Sequence, residues 1–133
     1  MINAIELPYS LNALEPYYDK ETLSIHYNVL YKSYINNLNI IEKNLQLARD
    51  SSNFENIKCL EKDLSFNGSG VILHELFFTN MVSPITISEP DNSLLSQINK
   101  DFGSFENFKA QFIAASKVVE GSRLVFISVG TKI

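Results

Sequence analysis

From Lys20 to Arg49 the apolar and aromatic residues return every three or four positions: Leu23, His26, Leu30, Tyr34, Leu38, Ile41 and Leu45. That spacing follows the 3.6-residue turn and lays one stripe along one long helix, which has to be buried against something. Asp19 stands where an N-cap belongs, with Thr22 three residues on. Residues 1–18 carry no such period and are punctuated by Pro8 and Pro16. The run Asp50-Ser51-Ser52-Asn53 reads as a turn, followed by a shorter amphipathic piece from Phe54 to Leu64. Asn67-Gly68-Ser69-Gly70 reads as a break, and Val71–Met81 as a buried helix carrying His74. Ser83-Pro84 ends it, and residues 84–92 form a loop. Two short helices are expected next, Ser93–Lys100 and Glu106–Val119, separated by Gly103 and with Ser104 as the second N-cap.

Leu124-Val125-Phe126-Ile127-Ser128-Val129 is β-branched and aromatic and predicts a strand. A single strand leaves its backbone N–H and C=O groups in need of a partner. The expectation is therefore a homo-oligomer paired through strand 124–129.

Composition excludes several classes. With 45% hydrophobic and 20% charged residues in 133, the chain is globular and not intrinsically disordered. A net charge of -4 and an absent Lys/Arg cluster exclude a generic nucleic-acid binder, whose affinity comes from phosphate neutralisation. No apolar run reaches the roughly 20 residues of a membrane span, and no signal peptide is visible at Met1–Glu6. One cysteine, Cys59, makes no internal disulfide or cysteine-based zinc site. The expectation is a cytoplasmic protein.

The candidate chemistry is sparse. The two histidines, His26 and His74, each sit on an apolar helix face, as metal ligands or as satisfied core residues. Tyr34 is either a hydrogen-bonding gate beside such a site or an amphipathic residue with its hydroxyl at the rim. Tyr27 and Tyr31 read as packing residues. Asn67–Gly70 lacks the Gly-Lys-Ser/Thr ending of a phosphate loop. It reads instead as a helix start whose glycine lets another group approach the backbone. Cys59, between Lys58 and Lys62, reads as structural, and the Glu-x-x-His signature of carboxylate-bridged bundles does not occur.

Four blocks, in order, resemble the iron/manganese superoxide dismutase family. They are Leu7-Pro8-Tyr9 with Ala13-Leu14-Glu15-Pro16, Thr22 and His26; Tyr34-Ile35-Asn36-Asn37-Leu38-Asn39; Phe66-Asn67-Gly68-Ser69-Gly70 leading to His74 and Phe77-Phe78; and Asp101-Phe102-Gly103-Ser104-Phe105-Glu106-Asn107-Phe108-Lys109 leading to Gly121-Ser122. The resemblance spans nearly the whole chain, residues 7–128. The resemblance implies a mainly α fold: an N-terminal antiparallel helical hairpin over residues 1–82, then a truncated α/β part over 83–133 ending on one strand. It implies iron or manganese as cofactor, His26 and His74 as two of four metal ligands, and Tyr34 as the active-site tyrosine. Gly70 falls where manganese enzymes of the family carry Gly and many iron enzymes carry Gln.

The departures set the functional expectation. Leu30 and Val71 stand where the family has histidines, Phe78 where it has Trp, and Arg123-Leu124-Val125-Phe126 replaces a Gly-Trp-x-Trp segment. The family segment bearing the Asp and third His ligands has no counterpart in these residues. The expectation is a divergent, degenerate scaffold or assembly protein with dismutase activity weak or lost. The alternative is a metal-dependent dismutase, turning superoxide into oxygen and hydrogen peroxide, whose missing ligands come from another chain.

Overall fold

A computed structural model describes residues 1–86, 89–120 and 125. The chain splits into two compact units, Met1–Ile87 and Ser88–Ile133.

In the first unit the long helix forms, but not as one regular coil. Helix α1 spans Lys20–Ile25, a π-helical segment spans His26–Tyr31, and α2 continues over Lys32–Ser51. Asp19 caps the start, its carboxylate accepting from the Thr22 backbone N–H at 2.8 Å and from the Thr22 hydroxyl at 2.7 Å. The end is closed by Ser52 in the left-handed conformation, φ 53°. The π turn carries more residues than an α turn. It therefore shifts the buried stripe by one position: Tyr31 is 0% exposed while Leu30 is 49% exposed. A strict 3.6 period puts Leu30 inward; the buried residues are Leu23, Tyr31, Ile35, Leu38, Ile41 and Leu45.

The second correction concerns Asn67–Gly70. Instead of breaking the chain, these residues lie inside one helix, α3, over Ile57–Thr79. Two interior glycines cost about 1 kcal/mol each against alanine. Packing offsets that cost, because α3 lies along α2 and buries Asn67, Val71 and Phe78. Asn67 satisfies its amide by donating to the Asp63 carbonyl at 2.9 Å.

As numbers rise along the first helix, those of its α3 partners fall. His26 meets Phe77 and Phe78, Tyr31 meets Glu75, and Tyr34 meets Phe66. The pair is an antiparallel hairpin. Its core is Leu14, Leu23, Tyr31, Ile35, Leu38, Val71 and Phe78. Each such side chain contributes roughly 1.5–3 kcal/mol when fully buried. The irregular N-terminal segment is strapped over this core. Asn39 exchanges hydrogen bonds with the Ile2 backbone at 2.8 and 2.9 Å. Tyr27 donates to the Ile5 carbonyl, and Tyr9 to that of Phe78 at 2.7 Å.

In the second unit, α4 (Asn92–Phe102) and α5 (Phe105–Lys117) pack on each other. Asp91 caps α4, accepting from Leu94 N–H at 2.8 Å, and Ser104 caps α5, accepting from Asn107 N–H at 3.0 Å. Gly103, φ 82°, makes the turn between them in a conformation that favours glycine. Phe102, Phe105, Phe108 and Phe112 stack as a ladder with centroids 5.1–6.1 Å apart. The α/β character and the strand expected over 124–129 fall, Val125 apart, outside the described residues, and no strand occurs among those described. No described helix is long and apolar enough to cross a membrane.

Candidate metal centre

The hairpin brings the two histidines together although 48 positions separate them in the sequence. His26 opens the π segment and His74 lies in the last turns of α3. Their ring centroids are 4.9 Å apart and their planes 80° from parallel. Imidazole nitrogens about 2.1 Å from one ion, at about 90–110° to each other, place ring centroids about 4.7–5.4 Å apart. The observed separation falls in that range.

Each ring has its Nδ1 engaged. His74 Nδ1 lies 2.6 Å from the Gly70 carbonyl oxygen. A carbonyl only accepts, so Nδ1 carries the hydrogen and the Nε2 of the neutral ring keeps its lone pair. His26 Nδ1 lies 2.8 Å from the Tyr18 hydroxyl. Burial, and then the charge of His74, hold His26 below the ordinary histidine pKa. Its neutral, ligand-competent form is favoured at neutral pH. Aromatic rings wall the pair. Phe77 and Phe78 stand 5.1 and 5.2 Å from His26, Tyr31 stacks on His74 at 6.0 Å, and Tyr34 lies 5.1 Å from His74.

Tyr34 is half-buried between His74 and Phe66, whose ring is 5.7 Å away. It packs on the bare backbone of α3: a Cβ on Gly70 would come within 2.5 Å of its ring. Close approach, one half of the expectation for the glycine run, is thus what Gly70 provides. The structure brings all three candidate residues, His26, Tyr34 and His74, into one cluster.

Two members went unseen in the sequence. Tyr18 lies in the irregular segment, where no periodicity ties it to His26. Tyr31 reads from the sequence as a packing residue only, yet its hydroxyl accepts from Ile5 N–H at 3.1 Å and donates to Glu75 Oε1 at 2.9 Å. Burial, with Glu75 adding to it, pushes the Tyr31 phenol up to about 12. Among the described residues no group of three or more His, Cys, Asp or Glu gathers. The donor set is two imidazoles, which suits iron or manganese as part of a larger shell.

Comparison with known proteins identifies the family. The family described as iron/manganese superoxide dismutases, alpha-hairpin domain, matches residues 3–82, and the C-terminal domain of the same family matches residues 90–132. A Mn/Fe superoxide dismutase of Propionibacterium freudenreichii subsp. shermanii is 42% identical over 118 residues, 88% of this chain and 59% of the relative. A mitochondrial Mn superoxide dismutase of Charybdis feriata is 39% identical over 117 residues, 88% of this chain and 51% of the relative. The chain thus spans between half and three fifths of the length of these relatives.

Proposed function

The chain belongs to the iron/manganese superoxide dismutase family, and we propose on that premise that His26 and His74 hold one iron or manganese ion and that the protein takes part in converting superoxide to oxygen and hydrogen peroxide. The observation that carries the reading is the histidine pair, two imidazoles 4.9 Å apart with both Nδ1 atoms engaged. The ion would supply one-electron chemistry. His26 and His74 would bind it, the ring wall would hold their imidazoles in orientation, and Tyr34 would offer a hydroxyl beside the site. Two imidazoles fill two positions of a shell of four or more. The other donors would come from outside the described residues, from another chain or from water.

A second reading, a scaffold or assembly protein with dismutase activity weak or lost, draws on two positions. Val71 is buried and apolar, and Leu30 is half-exposed and apolar, where the family carries histidines. Neither can hydrogen-bond near the site. The homo-oligomer expected through residues 124–129 belongs to both readings, and the single thiol of Cys59 supports a cytoplasmic placement.

The test is metal content per chain, by elemental mass spectrometry across a size-exclusion peak, followed by a superoxide assay. Near-stoichiometric iron or manganese is expected, with metal and superoxide consumption both lost in His74→Ala. A folded, metal-free and inactive peak would overturn the metal reading and leave the scaffold. A peak at monomer mass would remove the oligomer.

A further inference from the structure

We propose that Tyr18 is the positioning residue of His26: its phenol oxygen accepts from His26 Nδ1–H and so keeps Nε2 bare for a metal. The inference rests on the reading of His26 and His74 as ligands. The two rings are oriented by different means. The Nδ1 of His74 is served by the carbonyl of its own helix, Gly70, four residues back. That partner can only accept, so the tautomer of His74 follows from the helix itself. The Nδ1 of His26 reaches outside its helix to a side chain eight residues earlier, at 2.8 Å.

Tyr18 is itself held from two directions. Its backbone N–H donates to the Leu14 carbonyl at 3.1 Å, in the turn that precedes α1. Its ring meets Phe77 edge-on at 6.4 Å, and Phe77 in turn lies 5.1 Å from His26. Phenol, phenyl and imidazole therefore form one packed set spanning the N-terminal segment, the π segment and α3. A hydroxyl fixed there does for His26 what a backbone carbonyl does for His74. Partners of this kind, behind a ligating histidine, fix its tautomer and ring orientation, and their loss typically costs 10–100-fold in metal affinity. A phenol can also donate. Were it to donate to Nδ1, the hydrogen would sit on Nε2 and oppose metal binding. The two arrangements predict opposite tautomers.

Long-range 1H–15N correlation of the histidine rings in the metal-free full chain reads the tautomer directly. His26 is expected as the Nδ1–H form. In Tyr18→Phe it is expected to shift towards Nε2–H, with the His74 signals in place and the fold intact by circular dichroism. Zn(II) affinity, measured by calorimetry as a diamagnetic probe, is expected to fall about tenfold or more. Finding His26 as Nε2–H in the unsubstituted chain would overturn the proposal, and that measurement needs no variant to fold. So would a Tyr18→Phe chain with unchanged tautomer and Zn(II) affinity. His26→Ala and His74→Ala test the underlying reading separately. If Zn(II) binds both as it binds the parent chain, the ligand reading fails, whatever the tautomer shows.

Discussion

A methyl group at position 70 would sit 2.5 Å from Tyr34 Cδ1, a separation that real side chains do not adopt. Gly70→Ala therefore sets two effects against each other. Alanine gains about 1 kcal/mol of helix propensity over glycine. Displacing a packed ring costs typically 1–3 kcal/mol. The ring wins: Gly70→Ala is expected to lower stability by about 1 kcal/mol in urea unfolding. In a Tyr34→Ala background the ring is gone, and the same change is expected to raise stability by about 0.5–1 kcal/mol. A change of sign between the two backgrounds checks the contact. Tyr31 supplies a pH test. Its folded-state pKa, about 12, lies above the ordinary 10.0, so the folded chain keeps the phenol proton longer than the unfolded one. The stability it brings is complete below about pH 10 and is lost as pH rises towards 12. Denaturant midpoints are expected to fall across that window, and to fall less steeply in Tyr31→Phe. Absorbance near 295 nm should show one tyrosine ionising last.

At the scale of elements, the π segment separates what was legible from what was not. The caps at Asp19 and Ser104 and the break at Gly103 follow from local chemistry, and each appears with its hydrogen bond or dihedral. The stripe from Leu38 to Leu45 also follows, because α2 is regular there. Between His26 and Tyr31 the turn widens, and nothing in the residue types announces it. A 3.6 period carried through that stretch points Leu30 inward where Tyr31 goes. The glycine run misleads for a related reason, since propensity is a weak prior that packing between α2 and α3 outweighs. Helix-face placement leaves His26 and His74 open as metal ligands or core residues, and only the resemblance favours one site, because no local rule brings together positions in two different helices. The register can be tested by contrast. Leu30→Ala, at a half-exposed site, is expected to cost under about 1 kcal/mol. Tyr31→Phe changes a single atom but leaves Ile5 N–H and the Glu75 carboxylate without their partner, and is expected to cost about 1–3 kcal/mol below pH 10. The reverse order would mean that the helix is regular through this stretch.

At the scale of the whole molecule, the two units divide the labour unevenly. Every contact described for the histidine pair comes from the first unit: Tyr18, Tyr31, Tyr34, Gly70, Phe77 and Phe78. The second unit brings a capped pair of helices held by a phenylalanine ladder, with no histidine in its sequence. An ion that binds the folded state alone stabilises what its ligands belong to, and its effect grows with occupancy. Amide hydrogen exchange with and without Mn(II) reads this element by element. Slower exchange is expected around His26 and His74, in the π segment and the later turns of α3, while α4 and α5 stay unchanged. The same addition to His74→Ala is expected to slow nothing. Slowing that extends into α4 and α5 would mean instead that the ion orders both units, and that donors beyond the two imidazoles are drawn from the second.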